Sequence, residues 1–143
     1  MIAPPEVTYH AEWKLMVWRP RGILSEKTVA DIVSFVEWTE ANVDAGFNRF
    51  TDTTKLDAID LRFSFVFHVA VCRRLTFAAR PEVKSAFLVS NKQSAHYFKL
   101  HELITDHSPL QVKVFHDRAA VASWLNVPLQ VLVPDEDAPH GLP

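Results

Sequence analysis

Glycine is scarce in this sequence, and its scarcity excludes the common phosphate-binding loops. The 143 residues include three glycines, Gly22, Gly46 and Gly141, whereas an average usage of ~7% would give roughly ten. P-loops and dinucleotide-binding fingerprints need clustered glycines, because backbone amides must approach the phosphates closely. The three glycines are isolated from one another, so neither motif is present.

Cysteine and long apolar runs are also lacking. The single cysteine, Cys72, cannot form an internal disulfide. Residues 1–13 have neither the basic start nor the apolar run of a secretion signal, and no apolar run elsewhere is long enough to span a membrane. We therefore expect a cytoplasmic protein without an integral membrane segment.

An excess of charge of either sign is absent as well. The chain has 15 basic and 17 acidic residues, mixed along its length, and a net charge of -2. Such a chain has no strong positive field that would attract phosphate backbones, so we expect no nucleic-acid partner.

What is present is the composition of an ordinary globular protein. Hydrophobic residues make up 48% of the chain and charged residues 22%, which is outside the range of disordered proteins. A chain of this length fits one compact domain, which we place at residues 1–133. Residues 134–143 are rich in proline and acids and are predicted to form a mobile C-terminal tail.

The hydrophobic pattern predicts strands and helices in alternation. Strands are predicted at residues 14–18, 47–52, 83–90 and 112–115. Helices are predicted from Ser25 to about Gly46, over residues 91–107, and from Asp117 to Leu125, with Ser25 and Asp117 as N-caps. Residues 61–72 alternate as a strand would, but a helix starting near Ser64 and buried on most sides is the preferred interpretation, because the apolar stretch is long for a strand.

Alternation of strands and helices implies crossover connections and therefore a mostly parallel sheet. The predicted fold class is an α/β sandwich in which about four helices cover a central sheet of four to five strands. On the helix over residues 91–107, the residues predicted to face the core are Tyr97, Leu100, Leu103 and Ile104.

The order of these elements resembles the STAS domains, and in particular their SpoIIAA-like branch. Three segments carry the resemblance: Trp18-Arg19-Pro20-Arg21-Gly22 after the first strand, residues 52–61, and residues 114–125. The resemblance covers residues 14–127, nearly the whole chain. It implies a STAS-like sandwich and a domain that binds or regulates a partner.

In the anti-sigma-factor antagonists that define this superfamily, a strand ends in Asp, and a short loop leads to an Asp-Ser pair whose serine is phosphorylated. By resemblance, Asp52 corresponds to the strand-end acid and Asp60 to the acid of the pair, but Leu61 stands in place of the serine. Leucine has no hydroxyl, so the phosphorylation switch cannot operate through this residue. Ser64 could be a displaced acceptor, although we expect it to cap the following helix.

One pair of residues could carry thiol chemistry. A helix from Ser64 would place His68 and Cys72 on one face, where they could form a thiolate–imidazole pair or half of a metal site. The surrounding phenylalanines and valines instead indicate a core helix in which Cys72 is a packing residue. No HExxH or GxSxG motif is present, and the sequence indicates no catalytic, cofactor-binding or metal site.

Three aromatic residues lie away from the predicted core faces of their helices. On the first helix Trp38 lies about 180° from Val29, and Phe35 is also off the apolar stripe. On the third helix Phe98 lies about 160° from Leu100. Large aromatic side chains outside the core favour a protein interface at Phe35, Trp38 and Phe98, but neighbouring helices or the tail could equally cover them.

Three hypotheses on function follow from these observations. The leading one is a non-enzymatic STAS-like domain, without a cofactor, that uses the outer faces of its helices to bind a protein or a second copy of itself. The second is a carrier or sensor of an apolar small molecule, because phenylalanine and valine are concentrated between Phe63 and Phe77. The third, ranked last, is an enzyme that uses Cys72 and His68.

Overall fold

The computed structural model describes residues 1–43 and 46–135, which contain seven strands and five α-helices. The strands are β1 (Val7–His10), β2 (Leu15–Trp18), β3 (Gly22–Ser25), β4 (Asn48–Asp52), β5 (Leu56–Asp60), β6 (Val83–Leu88) and β7 (Leu110–Phe115). The helices are α1 (Glu26–Asn42), α2 (Phe63–Thr76), α3 (Lys92–Ile104), α4 (Arg118–Leu125) and α5 (Leu129–Leu132). A short 3₁₀ helix, Ala11–Trp13, joins β1 to β2.

A five-stranded sheet in the order β1-β2-β4-β6-β7 forms the centre of the fold. Strand β1 runs antiparallel to β2, and the other neighbouring pairs of this sheet are parallel. Strands β3 and β5 form a separate two-stranded parallel sheet. The predicted α/β class with a mostly parallel sheet is therefore confirmed, and so are the four strands that the pattern indicated.

One face of the five-stranded sheet is closed by α4 and α5. Successive side chains of a strand point to opposite faces, so every second residue of β2, β4 and β6 contributes to this core. The buried members of the core are Leu15, Val17, Phe50, Ala86, Leu88, Val121, Ala122, Leu125 and Leu132. The intervening residues of the same strands face α1, α2 and α3 on the opposite side.

Helix α1 begins as predicted and ends earlier than predicted. The Ser25 hydroxyl accepts a hydrogen bond from the Thr28 amide at 3.2 Å, which satisfies one of the free donors of the first turn. The helix ends at Asn42, and Val43 follows in extended conformation. Gly46, the predicted helix end, does not have the positive φ of a glycine C-cap; residues 44 and 45 lie outside the described part of the chain.

Helix α2 confirms the helical interpretation of residues 61–72 but not the expected burial. Arg62 occupies the N-cap position without a side-chain cap, and Ser64 lies exposed in the first turn, so the prediction that Ser64 caps the helix was wrong. Ala70 and Arg73 are the buried residues of the helix. Phe63 and Phe67 are about half exposed, because α2 packs on α3 on one side and is open to solvent on the other.

Helix α3 turns a different face to the core than predicted. Its buried residues are Ala95 and Phe98, whereas Leu103 is 69% exposed. The Phe98 ring stacks on Phe87 of β6 with a centroid distance of 4.8 Å. The predicted stripe was wrong for Leu103, whereas Tyr97, Leu100 and Ile104 are partly buried. The sheet receives the neighbouring face of the helix, which carries the small Ala95 beside the large Phe98.

Four elements were not predicted: β1, β3, β5 and α5. Gly22, placed in a predicted turn, begins β3 with a φ of 71°, a value that glycine adopts without strain. Helix α5 is four residues long, and its last residue, Leu132, is fully buried against the sheet.

Two further expectations concern the ends and the surface of the fold. Residues 136–143 of the predicted C-terminal tail lie outside the described residues, so the mobility of the tail stays a prediction. In the described ranges, none of the helices combines the length and the apolar character that crossing a bilayer requires.

Candidate functional site

A cavity of about 140 Å³ lies between the second face of the sheet and helices α1 and α2, with α3 at one side. Helix α1 packs mainly on β3, and α2 packs mainly on α3. Few close backbone contacts join either helix to the five-stranded sheet. Because both helices are held at their flanks, a space remains between them and the strands below.

The floor of the cavity consists of alternate residues of three adjacent strands. Met16 and Trp18 come from β2, Arg49 and Thr51 from β4, and Ser85 and Phe87 from β6. The strand register places Arg49 beside Ser85 and Thr51 beside Phe87. The centre of the floor is therefore polar, although Arg49, Thr51 and Ser85 are all buried.

The walls of the cavity are apolar. Helix α1 contributes Val29, Ile32, Val33 and Val36, which share one helical face at the i, i+3, i+4 and i+7 positions. Helix α2 contributes Phe65, Val66 and Val69. An apolar wall with a few convergent polar groups is the usual construction of a small-molecule site.

A buried cluster of charges lies at one end of the cavity. The Glu40 carboxylate, on α1, accepts hydrogen bonds from Arg49 at 2.8 Å, Arg73 at 2.5 Å and Arg80 at 3.3 Å. The side chain of Glu40 is 5% exposed, and all three guanidinium groups lie over the Phe77 ring. Burial lowers the pKa of Arg49 to about 10, against the opposing effect of Glu40.

Three nitrogen atoms on residues that line the cavity have no hydrogen-bond partner in the described part of the chain. They are Nε of Arg49, Nη1 of Arg73 and Nδ1 of His101, and each is buried. Burial, with a smaller contribution from the positive charge of Arg73, lowers the pKa of His101 to about 4. His101 is therefore neutral at pH 7. One of its ring nitrogens can donate a hydrogen bond, and the other can accept one.

Comparison with known proteins bears on the fold. No protein-family model and no curated protein matches the chain. One solved structure that does match is an uncharacterized protein of the DUF3478 family from Shewanella loihica, described as having a SpoIIAA-like fold. The likeness covers 78% of this chain and 83% of that chain, with a TM-score of 0.50 and 15% sequence identity. The chain has a SpoIIAA-like fold.

The fold predicted from the resemblance is thereby confirmed, and within it Asp52 ends β4 as expected. Its carboxylate is fully buried and accepts hydrogen bonds from Arg19 and Arg118, each at 2.8 Å, and from the amide and hydroxyl of Thr54. Burial alone would raise the pKa of Asp52, but the hydrogen bonds from Thr54 and Arg118 outweigh it and hold the pKa below its usual value. Thr53 beside it donates to the Leu88 carbonyl at 2.7 Å.

The other residues that the resemblance singled out, Asp60, Leu61 and Ser64, lie at or just after the junction between β5 and α2. Asp60 ends β5 and is exposed, and Leu61 follows it before the helix begins. Leu61 packs against the core and lines the cavity, whereas Ser64 points away and is exposed. Leu61 is thus a cavity residue in this SpoIIAA-like fold.

The three aromatic residues predicted to form an interface do not share one surface. Trp38 is 42% exposed, and Phe35 is half-buried against the core with its ring stacked on Trp38 at 6.1 Å. Phe98 is 8% exposed and belongs to the core. The premise for Phe98 was therefore wrong, since the sheet covers it, and Trp38 is the one of the three with substantial exposure.

His68 and Cys72 lie together on the outer face of α2. The Sγ atom of Cys72 is 3.7 Å from Nε2 of His68, and both residues are exposed. The expectation that Cys72 packs in the core was wrong, because α2 turns this face to solvent. Among residues 1–43 and 46–135, no group of three or more His, Cys, Asp or Glu side chains is placed to hold a metal ion.

The cavity residues Arg49, Arg73 and His101 and their neighbour Glu40 were not singled out in the sequence. One signal was available for Arg49: it lies within a strand of apolar alternation. In a parallel sheet covered on both faces, such a strand buries every side chain. A buried arginine requires an acidic partner, but the sequence does not indicate that Glu40 supplies it.

Proposed function

We propose that this chain is a non-enzymatic binding domain that holds an apolar small molecule in the cavity between the sheet and α1 and α2. The observation that supports it is the cavity itself, about 140 Å³ in volume with valine and phenylalanine walls. Protein interiors are otherwise closely packed, and an apolar space of about this size admits a molecule such as benzene. An apolar occupant of matching shape removes its own surface and that of the walls from water, so it stabilises the folded state.

Leu61 connects this proposal to the regulatory role that the fold suggests. The side chain lines the cavity at the β5–α2 junction, at the position that the resemblance matches to the serine of the anti-sigma-factor antagonists. A ligand that contacts Leu61 acts on the same junction that phosphorylation would alter. We therefore expect regulation, where this domain has it, to follow ligand occupancy.

Toluene, with an apolar body of the right size, is the probe that tests the proposal. We expect saturating toluene to raise the melting temperature of the protein by about 2–4 °C, because it binds the folded state alone. Val69→Phe places a ring in the cavity and should abolish this rise. Val71→Phe, the same change two residues further along α2, lies outside the cavity lining and should preserve it.

The result can contradict the proposal in two ways. A wild-type protein whose melting temperature is unchanged by toluene has no accessible apolar cavity. An equal response of the Val69→Phe and Val71→Phe variants would place the binding of toluene elsewhere.

Self-association is a second candidate function, favoured by the exposure of Trp38 on α1. The indole of Trp38 is 42% exposed and stacks on the half-buried Phe35 ring. Trp is enriched at protein interfaces. Trp38→Asp should convert an assembled form to monomer in sedimentation velocity while the circular dichroism spectrum stays unchanged. Leu129→Asp, at a position 44% exposed on α5, is the control and should assemble as the wild type does; a Trp38→Asp variant that still assembles would sink this candidate.

A further inference from the structure

The charges around the cavity are not balanced within the described part of the chain. One carboxylate, Glu40, meets three guanidinium groups, and two of these, on Arg49 and Arg73, are 8% and 6% exposed. Arg80 is 43% exposed on its side chain, so solvent can screen it. A buried positive charge is costly without a negative partner, and Glu40 alone offers one negative charge to two buried positive ones.

The same two arginines have free hydrogen-bonding capacity. Nη1 of Arg73 and Nε of Arg49 are buried without a partner, although a guanidinium group normally uses its donors when buried. Both residues line the cavity, and the hydroxyl-bearing Thr51 and Ser85 lie beside Arg49 on its floor. The polar end of the cavity therefore has more donors than the described protein groups satisfy.

We propose that the ligand of this cavity carries a carboxylate, which binds to Arg73 and Arg49 while the apolar part of the ligand lies between the valine wall of α1 and Phe87. This inference rests on the proposed function, since it assigns the chemical class of the molecule in the same cavity. Nε of Arg49 and Nη1 of Arg73 are single free donors on two side chains, and the two oxygens of a carboxylate can accept one hydrogen bond from each. The carboxylate also adds a second negative charge beside that of Glu40. The volume restricts the apolar part to one aromatic ring or a short aliphatic chain.

Benzoate, benzamide and toluene, measured by calorimetric titration against the wild-type protein, separate the contributions of charge and shape. All three have the same ring, and benzamide has nearly the outline of benzoate without its charge. A charge-assisted hydrogen bond is worth enough to give about a 10- to 100-fold difference in dissociation constant. We expect benzoate to bind more tightly than benzamide and toluene by a factor in this range.

Two arginine variants identify the binding group. Arg73→Met should weaken benzoate binding by about 10- to 100-fold and leave toluene binding unchanged. Arg80→Met removes another partner of Glu40 from outside the cavity lining and should leave both ligands unaffected. The comparison of ligands on the wild-type protein does not depend on the variants, so it decides the question even if Arg73→Met does not fold.

Each other outcome has a definite meaning. If toluene binds and benzoate binds no more tightly, the carboxylate inference is overturned and the proposed cavity function stands. If neither ligand binds, both proposals fall. If Arg80→Met weakens benzoate as much as Arg73→Met does, the anion binds at the outer charge cluster and the assignment to the cavity is wrong.

Discussion

At the scale of single residues, a buried carboxylate joins the ends of strands and helices that are distant in the sequence. Asp52 lies at the end of the central strand β4 and joins Arg19, which follows β2, to Arg118 at the start of α4. Arg19 also donates to the carbonyl of Leu132 at 2.6 Å, which fixes α5 against the sheet. One carboxylate thus ties together three separate parts of the chain.

Loss of the Asp52 carboxylate should lower the stability of the fold. Asp52→Asn leaves two arginines without their anionic partner in a largely buried setting, and we expect the free energy of unfolding to fall by about 3 kcal/mol. Asp57→Asn, on the exposed side of β5, should change it by less than about 0.5 kcal/mol. Urea unfolding monitored by circular dichroism measures both; similar values for the two variants would show that Asp52 is not a structural anchor.

His101 predicts a dependence of stability on pH. Its pKa is about 4 in the folded protein and about 6.5 in an unfolded chain. Between these values the unfolded state binds the proton and the folded state does not, so stability is complete above pH 6.5 and is lost as the pH falls towards 4. We expect a loss of about 2–3 kcal/mol between pH 7 and pH 4.5 from this group.

The window from pH 7 to pH 4.5 separates His101 from the carboxyl groups whose pKa values are lowered, Glu26 and Asp52, since these lose stability at lower pH. His101→Gln should reduce the slope of unfolding free energy against pH. His96→Gln, an exposed position on the same helix, should retain it. A wild-type slope in the His101→Gln variant would mean that His101 takes up its proton without opposition from the fold.

At the scale of elements, the sequence predicted where helices and strands lie better than which faces they bury. Strands β4 and β6 and helix α4 were correct because alternation and the Asp117 cap are local signals. The faces of α2 and α3 were wrong because both helices are apolar on more than one side, so local sequence leaves the buried side undetermined. Which side is buried depends on neighbours distant in sequence, such as Phe87 beneath Phe98.

Part of the candidate site could be predicted from the sequence, because some of its lining residues follow one another along α2. The concentration of phenylalanine and valine from Phe63 to Phe77 correctly indicated apolar lining residues on α2, among them Phe65 and Val69. The cavity itself could not be predicted, because it depends on the distance between the sheet and helices α1 and α2. That distance is set by contacts with β3 and α3. The cluster around Glu40 joins residues from α1, β4 and α2, whose proximity only the folded chain reveals.

The exposed outer face of α2 makes a prediction about its cysteine. Since Cys72 is exposed beside His68, we expect iodoacetamide to alkylate it in the native protein at a rate within about tenfold of the rate in the unfolded chain. Mass spectrometry of the native and urea-unfolded protein, with Cys72→Ser as the unlabelled control, gives both rates. Protection of Cys72 until unfolding would show that this face of α2 is covered.

At the scale of the whole molecule, the two faces of the sheet are packed differently. The face under α4 and α5 is a filled core that includes fully buried Leu15, Phe50 and Leu132. The face under α1 and α2 contains the cavity, and the α1 residues that line it, such as Val29, Val33 and Val36, stay half-exposed. One side of the sheet is thus a filled core, and the other keeps an apolar space.

The direct test of this asymmetry is a crystal structure determined under xenon pressure. Xenon occupies apolar cavities of this size, and its anomalous scattering locates it without assumptions about the natural ligand. We expect a xenon atom between α1, α2 and the floor of the sheet, in contact with Val33, Val69 and Phe87, and none under α4. Helices α1 and α2 lying directly on the sheet, with no xenon between them, would contradict it.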